Sequence, residues 1–404
     1  MVERGLLLAA QEERFASAFA SDLSLPSPSL QRTKGSAKPR PTQDHTHVSF
    51  GATPGRTLVP IRPFIFRWIP KHSTTPLTQL QTSRLLRSLT QRDRSILQIL
   101  YDYRYLTTLQ IRHLFFPSTR STQLRIQYLM GHGLIYRWKM SEPPGITRRP
   151  SLLLISPRGA RLMADLHGES PWPYIRRAKH ARDHCWHVVH DLEANGFFVD
   201  LVLASRLALK EGLLRWVGEE TCRFERRLNT SRYRLRLPVA TPDGVGAYLV
   251  RGKVIRFDLE WDRGTASMSR LRQKVRTAVR YFKAVHDARG ANVLYVVSTA
   301  RREESLHAVI EDEFNSDSCR FWTTTVGRLD AEGPLGQIWG EATPLDDDDE
   351  EDTSIFAPRK RKARPLRRQR LTQLPVYGET TLTISDCIGR AQWWDRRPGG
   401  GEVL

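Results

Sequence analysis

Residues 253–262 constrain the fold of this chain most, because apolar and charged side chains alternate along them. The apolar positions are Ile255, Phe257, Leu259 and Trp261, and the charged ones are Arg256, Asp258, Glu260 and Asp262. Successive side chains of a β-strand point to opposite faces, so a period of two predicts a strand over Lys253–Trp261. The dipeptide Arg251-Gly252 precedes it and predicts a hairpin with a strand over Ala247–Val250.

The hairpin belongs to a longer run of predicted elements over residues 175–330. We expect a long helix over Ala178–Leu203, interrupted only by Gly196. Further strands are predicted at Leu213–Val217, Tyr233–Leu237, Asn292–Ser298 and Arg320–Val326, and helices at Ser267–His286 and Arg301–Phe314. The order helix, three strands, helix, strand is that of a restriction-endonuclease-like α/β domain.

Acidic residues on neighbouring strands of that domain predict a metal-dependent nuclease site. Asp243 and Glu260 supply the hard oxygen ligands that Mg²⁺ or Mn²⁺ prefers. Asp262 stands where such a site usually has its lysine, and Lys274 on the next helix is the candidate substitute. We predict Asp243 and Glu260 as metal ligands, and a catalytic set of Asp243, Glu260, Asp262, Lys274 and His190. Two other interpretations stay open: a former nuclease that only binds, or a solvated strand face.

Residues 86–170 predict a separate unit of three helices and a β-hairpin. The helix starts are Thr90 with Asp93, Thr107 with Gln110, and Ser118. The hairpin strands are Leu134–Met140 and Ser151–Ile155, with a turn-rich wing over Glu142–Pro150 and a last helix from Pro157. The pattern is typical of a winged helix-turn-helix, whose third helix enters the major groove of DNA. The fold class predicted for the whole chain is therefore α+β.

The third helix carries the candidate base-reading residues. Leu124, Tyr128 and Leu129 are expected to face inward, which leaves the polar side chains outward. The predicted DNA contacts are Thr119, Arg120, Gln123, Arg125 and Gln127 on this helix, and Arg148 and Arg149 on the wing. Gln can pair with adenine edges and Arg with guanine edges or phosphates. The alternative is a winged helix that contacts a protein.

The charge of the chain predicts a polyanionic partner. A formal net charge of +20 favours double-stranded DNA, because Lys and Arg release the counterions of phosphates. The alternative is that the charge is confined to solvated tails. We expect such tails over residues 1–85 and 341–404. No apolar run reaches the roughly 18 residues of a membrane span, so we expect no membrane partner.

The cysteines and histidines predict a reducing compartment and no zinc site. The four cysteines are Cys185, Cys222, Cys319 and Cys387, and their wide separation indicates reduced thiols in a cytoplasmic protein. His180, His184, His187 and His190 share one helical segment with Cys185. Since they form no closed ligand set, we expect no zinc.

Several motifs together resemble the replication-relaxation protein family of plasmids and integrative elements, over about residues 88–310. They are T-Q-R-D-R-S-I-L at Thr90–Leu97, Y-L-T-T-L-Q-I at Tyr105–Ile111, L-F-F-P-S at Leu114–Ser118, G-L-I-Y-R at Gly133–Arg137, H-D-L-E-A-N-G-F-F at His190–Phe198, P-D-G at Pro242–Gly244 and F-D-L-E-W-D-R-G-T at Phe257–Thr265. The resemblance implies a role in plasmid replication, DNA relaxation or mobilisation. The chain is also similar to class C mobilisation relaxases, which use a nuclease-like fold instead of a tyrosine nucleophile.

The resemblance assigns the same polar positions as the strand pattern. His190, Asp243, Glu260 and Asp262 match the family's polar positions, and Lys274 and Tyr281 fall in the helix that follows. These positions and the predicted DNA contacts are consistent with three functions. The first is a Mg²⁺-dependent protein that nicks an origin-like site, and the second is a non-catalytic replication initiator or regulator at such a site. The third is a scaffold that pairs with relaxosome or replication proteins.

Overall fold

A computed structural model of the protein describes residues 78–138, 151–183, 187–206, 211–232, 239–285, 291–313, 319–342 and 367–377. It is a mixed α+β structure with two sheets. The wing residues Arg148 and Arg149, the expected strand Tyr233–Leu237, and His184 with Cys185 lie outside the described residues. No helix in the described part of the chain combines the length and apolar character needed to cross a membrane.

The N-terminal block, residues 78–183, contains six helices and a small sheet among its described residues. The helices are α1 (Gln79–Ser88), α2 (Gln91–Asp102), α3 (Thr108–Phe115), α4 (Thr119–Gly131), α5 (Pro157–His167) and α6 (Pro171–Asp183). The strands are β1 (Leu106–Thr107), β2 (Ile135–Trp138) and β3 (Leu152–Ile155), in the antiparallel order β1-β3-β2. The predicted helix starts and hairpin strands are confirmed.

Side-chain caps explain where these helices begin. The hydroxyls of Thr90 and Thr107 each accept a hydrogen bond from the backbone amide of the third helical residue. The side chain of that residue in turn accepts a hydrogen bond from the backbone amide of the threonine. Thr78 makes the same box at the start of α1, and Leu85 and Leu89 are buried. Residues 78–85, expected in the N-terminal tail, therefore belong to this block, because the capped segment packs its apolar side against the core.

The C-terminal block, from residue 187, is built on a seven-stranded sheet within the described residues. Its strands are β4 (Gly212–Gly218), β5 (Gly244–Val250), β6 (Lys253–Asp262), β7 (Asn292–Val297), β8 (Arg320–Thr325), β9 (Trp339–Glu341) and β10 (Arg368–Gln369), in the order β10-β9-β8-β7-β6-β5-β4. Pairs β6–β7 and β7–β8 are parallel and the others antiparallel. Arg251 and Gly252 have positive φ, as the predicted tight turn between β5 and β6 requires.

Helices cover both faces of this sheet. They are α7 (Val188–Ser205), α8 (Glu219–Arg232), α9 (Met268–Val285), α10 (Ala300–Glu313), α11 (Val326–Glu332) and a 3-10 turn at Leu371–Gln373. The expected order helix, three strands, helix, strand is present as α7, β4 to β6, α9 and β7. Helix α8, inserted between β4 and β5, was not predicted.

Two sequence expectations need correction. The helix expected over Ala178–Leu203 with a break at Gly196 is instead two helices, and Gly196 lies inside α7. A glycine costs about 1 kcal/mol in a helix, which the burial of the adjacent Phe197 and Phe198 offsets. Part of the expected C-terminal tail also belongs to the sheet, because β10 pairs with β9 and Leu371 is fully buried.

The two blocks share one hydrophobic core instead of packing as separate units. The ring of Tyr103 stacks on Trp216 at 3.7 Å between centroids, and its hydroxyl donates to the Trp216 carbonyl at 2.9 Å. A Cβ atom at Gly218 would lie 3.1 Å from the Tyr103 ring, so a larger residue would push the ring away from its present position. The buried Asn195 amide of α7 donates to the carbonyls of Tyr103 and Tyr105 at 3.1 and 3.0 Å.

We predict that Asn195→Ala lowers the free energy of unfolding by about 2 to 3 kcal/mol, because it removes two buried hydrogen bonds between α7 and the N-terminal block. Urea denaturation followed by tryptophan fluorescence measures this loss. Gln127→Ala, on the exposed side of α4, is the control and should stay within about 0.5 kcal/mol of wild type. A loss for Asn195→Ala no larger than that of the control contradicts the shared junction.

Candidate functional site

The register of β5 and β6 brings Asp243 and Glu260 together. Gly244 pairs with Leu259, so Asp243, one residue earlier, stands opposite Glu260. The Asp243 amide donates to the Leu259 carbonyl at 2.9 Å, and the Trp261 amide donates to Asp243 Oδ2 at 2.7 Å. The two carboxylates predicted as metal ligands are therefore neighbours at one end of the strand pair.

His190 approaches Asp243 from α7. Its Nε2 lies 3.2 Å from Asp243 Oδ2 and 2.9 Å from the Trp261 carbonyl oxygen. The Nδ1 atom lies 3.8 Å from Asp191 Oδ1. A ring nitrogen between a carbonyl and a carboxylate oxygen carries its proton there, so His190 holds Asp243 in a fixed orientation.

Each acidic side chain on the buried face of β6 pairs with a cation from a different helix. The pairs are Asp258 with Arg226 of α8, Glu260 with Lys274 of α9 at 2.6 Å, and Asp262 with Arg302 of α10 at 2.6 Å. All three carboxylates are buried, so the interpretation of a solvated strand face is wrong. A buried carboxylate needs such a partner, since desolvation otherwise costs several kcal/mol.

The middle pair differs from its neighbours in exposure. The side chain of Lys274 is 39% exposed, whereas Arg226 and Arg302 are 9% and 14% exposed. Glu260 and Lys274 therefore form the one pair of the three that a large ligand can reach. Lys274 also lies close enough to Asp243 to lower the pKa of that carboxyl.

Electrostatics set the protonation of these groups. Burial disfavours a charged ring at His190, but the charges of Asp243 and Asp191 outweigh it and raise its pKa to about 11. Burial acts against the Asp243 carboxylate too, yet His190 and Lys274 bring its pKa below the ordinary value. Burial raises the pKa of Glu260 to about 7, against the opposing effect of Lys274.

Asp262 and Tyr281 have structural contacts in this arrangement. Arg302 Nε and Nη2 contact the Asp262 carboxylate at 2.6 and 3.4 Å, and the Gly264 amide donates to its Oδ1 at 3.0 Å. Both oxygens of Asp262 are therefore engaged. Tyr281 is buried, and the guanidinium of Arg226 lies 4.6 Å from its ring centroid. A buried ring in that position is inaccessible to a DNA strand.

The carboxylates of Asp243 and Glu260 have the oxygen chemistry that a hard divalent cation prefers. The hydrogen bonds of the described residues engage Oδ2 of Asp243 and Oε2 of Glu260, so Oδ1 and Oε1 would be the ligand atoms for such an ion. The described part of the chain holds no cluster of three or more His, Cys, Asp or Glu side chains arranged for a metal ion. Mg²⁺ accepts such a sparse site, because it keeps several waters and uses one or two carboxylates together with substrate phosphates.

A cleft between the two blocks leads to His190 and Asp243. Its walls include Asp102, Tyr103, Arg104, Asp191, Asn195, Gly218, Glu219 and Glu220. Arg104 has φ 63°, a strained value for a side-chain-bearing residue, and pairs with Asp191, Glu219 and Glu220 at 3.3 to 3.5 Å. Asn195 was expected near His190, but Arg104 and its partners were missed from the sequence, although H-D-L-E at His190–Glu193 includes two residues of the lining.

The exposed side of α4 holds four of the predicted DNA contacts. Thr119, Arg120, Gln123 and Gln127 are exposed, as expected. Leu124 was expected in the core, but 59% of it is exposed. Arg125 instead makes an ion pair with the buried Asp93 of α2 and lies over the ring of Tyr128 at 4.1 Å. Its guanidinium therefore ties α4 to α2.

The fold and site define a mixed α+β protein in which a helical block and a sheet share one core. The sheet carries buried carboxylates, and a lysine from α9 pairs with one of them. Residues 97–297 match the model of a family described as Replication-relaxation. The matched segment runs from α2 to the end of β7 and includes His190, Asp243, Glu260 and Lys274. The match supports the motif resemblance and suggests a role in the replication or relaxation of plasmids or other mobile elements. Comparisons with curated proteins and with solved structures return no match.

We predict that the His190 ring stays protonated up to about pH 9 in the folded protein. Its raised pKa means that the pair with Asp243 stabilises the fold fully below about pH 6.5, and that this contribution is lost as the pH rises to about 11. The measurement is an NMR titration of ¹⁵N-histidine-labelled protein, with His190→Gln to assign the signal.

His307 is the internal control for this titration, because burial lowers its pKa. Its signal should change below about pH 6.5, while that of His190 does not. Asp243→Asn should bring the His190 transition down toward the ordinary range. A His190 ring that titrates near pH 6.5 in the wild type contradicts the ion pair.

Proposed function

We propose that the protein binds an origin-like site on double-stranded DNA and nicks it with Mg²⁺, in the replication or mobilisation of a plasmid or related element. The observation that carries the proposal is the Lys274–Glu260 contact of 2.6 Å beside Asp243. Two carboxylates and a lysine on adjacent strands and a helix are the groups a metal-dependent nuclease needs. The lysine comes from α9 instead of β6, which accounts for Asp262 at the usual lysine position.

The helices and hairpin of the N-terminal block support the recognition half of the proposal. As a winged helix, this block would place the exposed side of α4 in the major groove, with Gln123 and Gln127 toward base edges. Arg120 would contact guanine or phosphate at the edge of that side. DNA bound at α4 would then be held by the same molecule that carries Asp243 and Glu260.

The chemistry divides among the residues of the site. Asp243 and Glu260 would hold Mg²⁺, which supplies an activated water and offsets charge on the scissile phosphate. Lys274 would donate to a phosphate oxygen, because its ammonium is partly exposed beside Glu260. His190 would be a positioning residue, because it contacts Asp243 through Oδ2 and would leave Oδ1 for the metal ion. The cleft walls would exclude bulk water from this end of the sheet.

A second candidate function is a replication initiator or regulator that binds the same DNA without cleaving it. The favouring observation is that His190 and the Trp261 amide already neutralise Asp243. A carboxylate satisfied inside the protein has less to gain from a cation. A scaffold that pairs with relaxosome or replication proteins is the third candidate, and the exposed Leu124 on α4 favours a protein contact there.

We expect wild-type protein with Mg²⁺ or Mn²⁺ to convert supercoiled plasmid that carries the cognate origin into the open-circular form. Asp243→Asn, Glu260→Gln and Lys274→Met should each slow this conversion by about 10²- to 10³-fold, because each removes a charge or ligand at the phosphate. Agarose gels of timed reactions measure the rate. Asp312→Asn removes an exposed carboxylate that pairs with Arg272 and not with Lys274, so it should leave the rate unchanged.

The outcomes separate the three candidates. Open-circular product that persists in Asp243→Asn and Glu260→Gln would come from another site or a contaminant, and the proposal fails. Duplex binding by the wild type without any product selects the initiator or regulator. Negligible affinity for duplex selects the scaffold.

Arg120→Gln combined with Gln123→Ala should weaken binding to the origin duplex. The slope of log affinity against log salt should fall by about 0.9, because one arginine no longer neutralises a phosphate. Fluorescence anisotropy over a range of NaCl concentrations measures both. Arg161→Gln, an exposed arginine on α5, is the charge-matched control. Equal effects of the two changes would show that α4 has no special role in recognition.

A further inference from the structure

Helix α6 presents an exposed side that combines an aromatic ring with two cations. Trp172, Arg176 and Lys179 are exposed and lie on one side of the helix, because four and seven residues return to nearly the same angle. Trp172 is 65% exposed, which is unusual for a large apolar ring. Asp183 continues this side, but Arg182 Nε lies 2.7 Å from its carboxylate and offsets its charge.

The opposite side of α6 is fixed to the protein. Tyr174, Ala178 and Ala181 are buried. On its flank Arg177 Nε lies 3.1 Å from Glu220 Oε2, and its Nη2 donates to the Asp102 carbonyl at 2.9 Å. Glu220 and Asp102 line the cleft that leads to His190 and Asp243. The exposed side is therefore rigidly held about one helix diameter, roughly 10 Å, from the wall of that cleft.

A ring flanked by cations fits an unpaired nucleic acid strand. Every base has a π-face that stacks on an aromatic ring, while Arg and Lys hold the phosphates that follow. Trp172 and Lys179 are separated by about 10 Å along the helix axis, which spans neighbouring nucleotides of an extended strand. Base faces are hidden inside a duplex, so the ring gains nothing from double-stranded DNA.

We propose that the outer side of α6, formed by Trp172, Arg176 and Lys179, binds single-stranded DNA. Trp172 stacks on an unpaired base, and Arg176 and Lys179 contact the phosphates beside it. This site is distinct from the duplex-reading side of α4 and does not depend on cleavage. When the duplex of the proposed origin opens, this site would hold one of the two separated strands.

The test uses the full chain and a fluorescein-labelled oligothymidine of about 15 nucleotides, with a duplex of equal length as the second probe. Trp172→Ala should weaken single-strand binding about 5- to 100-fold in anisotropy titrations, the equivalent of one stacked base. Trp172→Phe should retain most of the affinity, because its ring still stacks. Duplex affinity should stay within about twofold of wild type for both variants.

Arg176→Gln with Lys179→Gln should lower the salt slope for the oligothymidine by about 1.4, or 0.7 for each phosphate that is no longer neutralised. Arg84→Gln with Arg87→Gln on α1 removes the same charge from another exposed helix and is the matched control. Thermal melting confirms that each variant is folded.

Two results overturn the inference. Single-strand affinity unchanged by Trp172→Ala would show that the ring faces a different partner, such as a protein. Equal losses from the α1 and α6 charge changes would show general attraction without a site. Because duplex binding is measured in the same series, failure of the α4 proposal is seen separately.

Discussion

The structure depends on the burial of three carboxylates along one strand. Asp258, Glu260 and Asp262 lie on a covered face of β6, and each needs a cation of its own. The cations come from α8, α9 and α10, so charge pairing fixes where these helices pack against the sheet. Removing one member of such a buried pair costs about 3 to 5 kcal/mol, because the remaining charge is left in a poorly solvated place. Strand β6, between β5 and β7, is thus the strand to which these three helices are anchored.

The three pairs are alike in chemistry and differ in access. The outer two are closed by arginines, whose planar guanidinium groups can hold a carboxylate through more than one nitrogen. The middle pair uses a lysine, a point charge on a flexible stem that remains partly exposed. This contrast makes Glu260 the accessible member of the three pairs, whereas its two neighbours are closed ion pairs.

Local patterns in the sequence predicted most of the helices and strands. The features that they missed depend on packing between residues far apart in the chain. The capping residues and the alternation along β6 depend on near neighbours, so Thr90, Thr107 and the strand over 253–262 were predicted correctly. Leu124 has the helical spacing expected of a core residue, but it lies on the exposed side of α4. The pairing of Arg125 with Asp93 joins residues 32 positions apart and was missed, whereas Lys274 was predicted beside Glu260 because it lies on the helix that follows the strand. The left-handed Arg104 and the cleft around it carry no signal in sequence periodicity.

The Tyr103–Trp216 stack and the absent side chain at Gly218 have a consequence for how the molecule would handle a long polymer. In the described part of the chain they join the helical block and the sheet through one shared core, which resists rotation of one against the other. For the DNA contacts proposed above, the distance between α4 and the carboxylates of the sheet would then be set by this packing and not by the length of a linker.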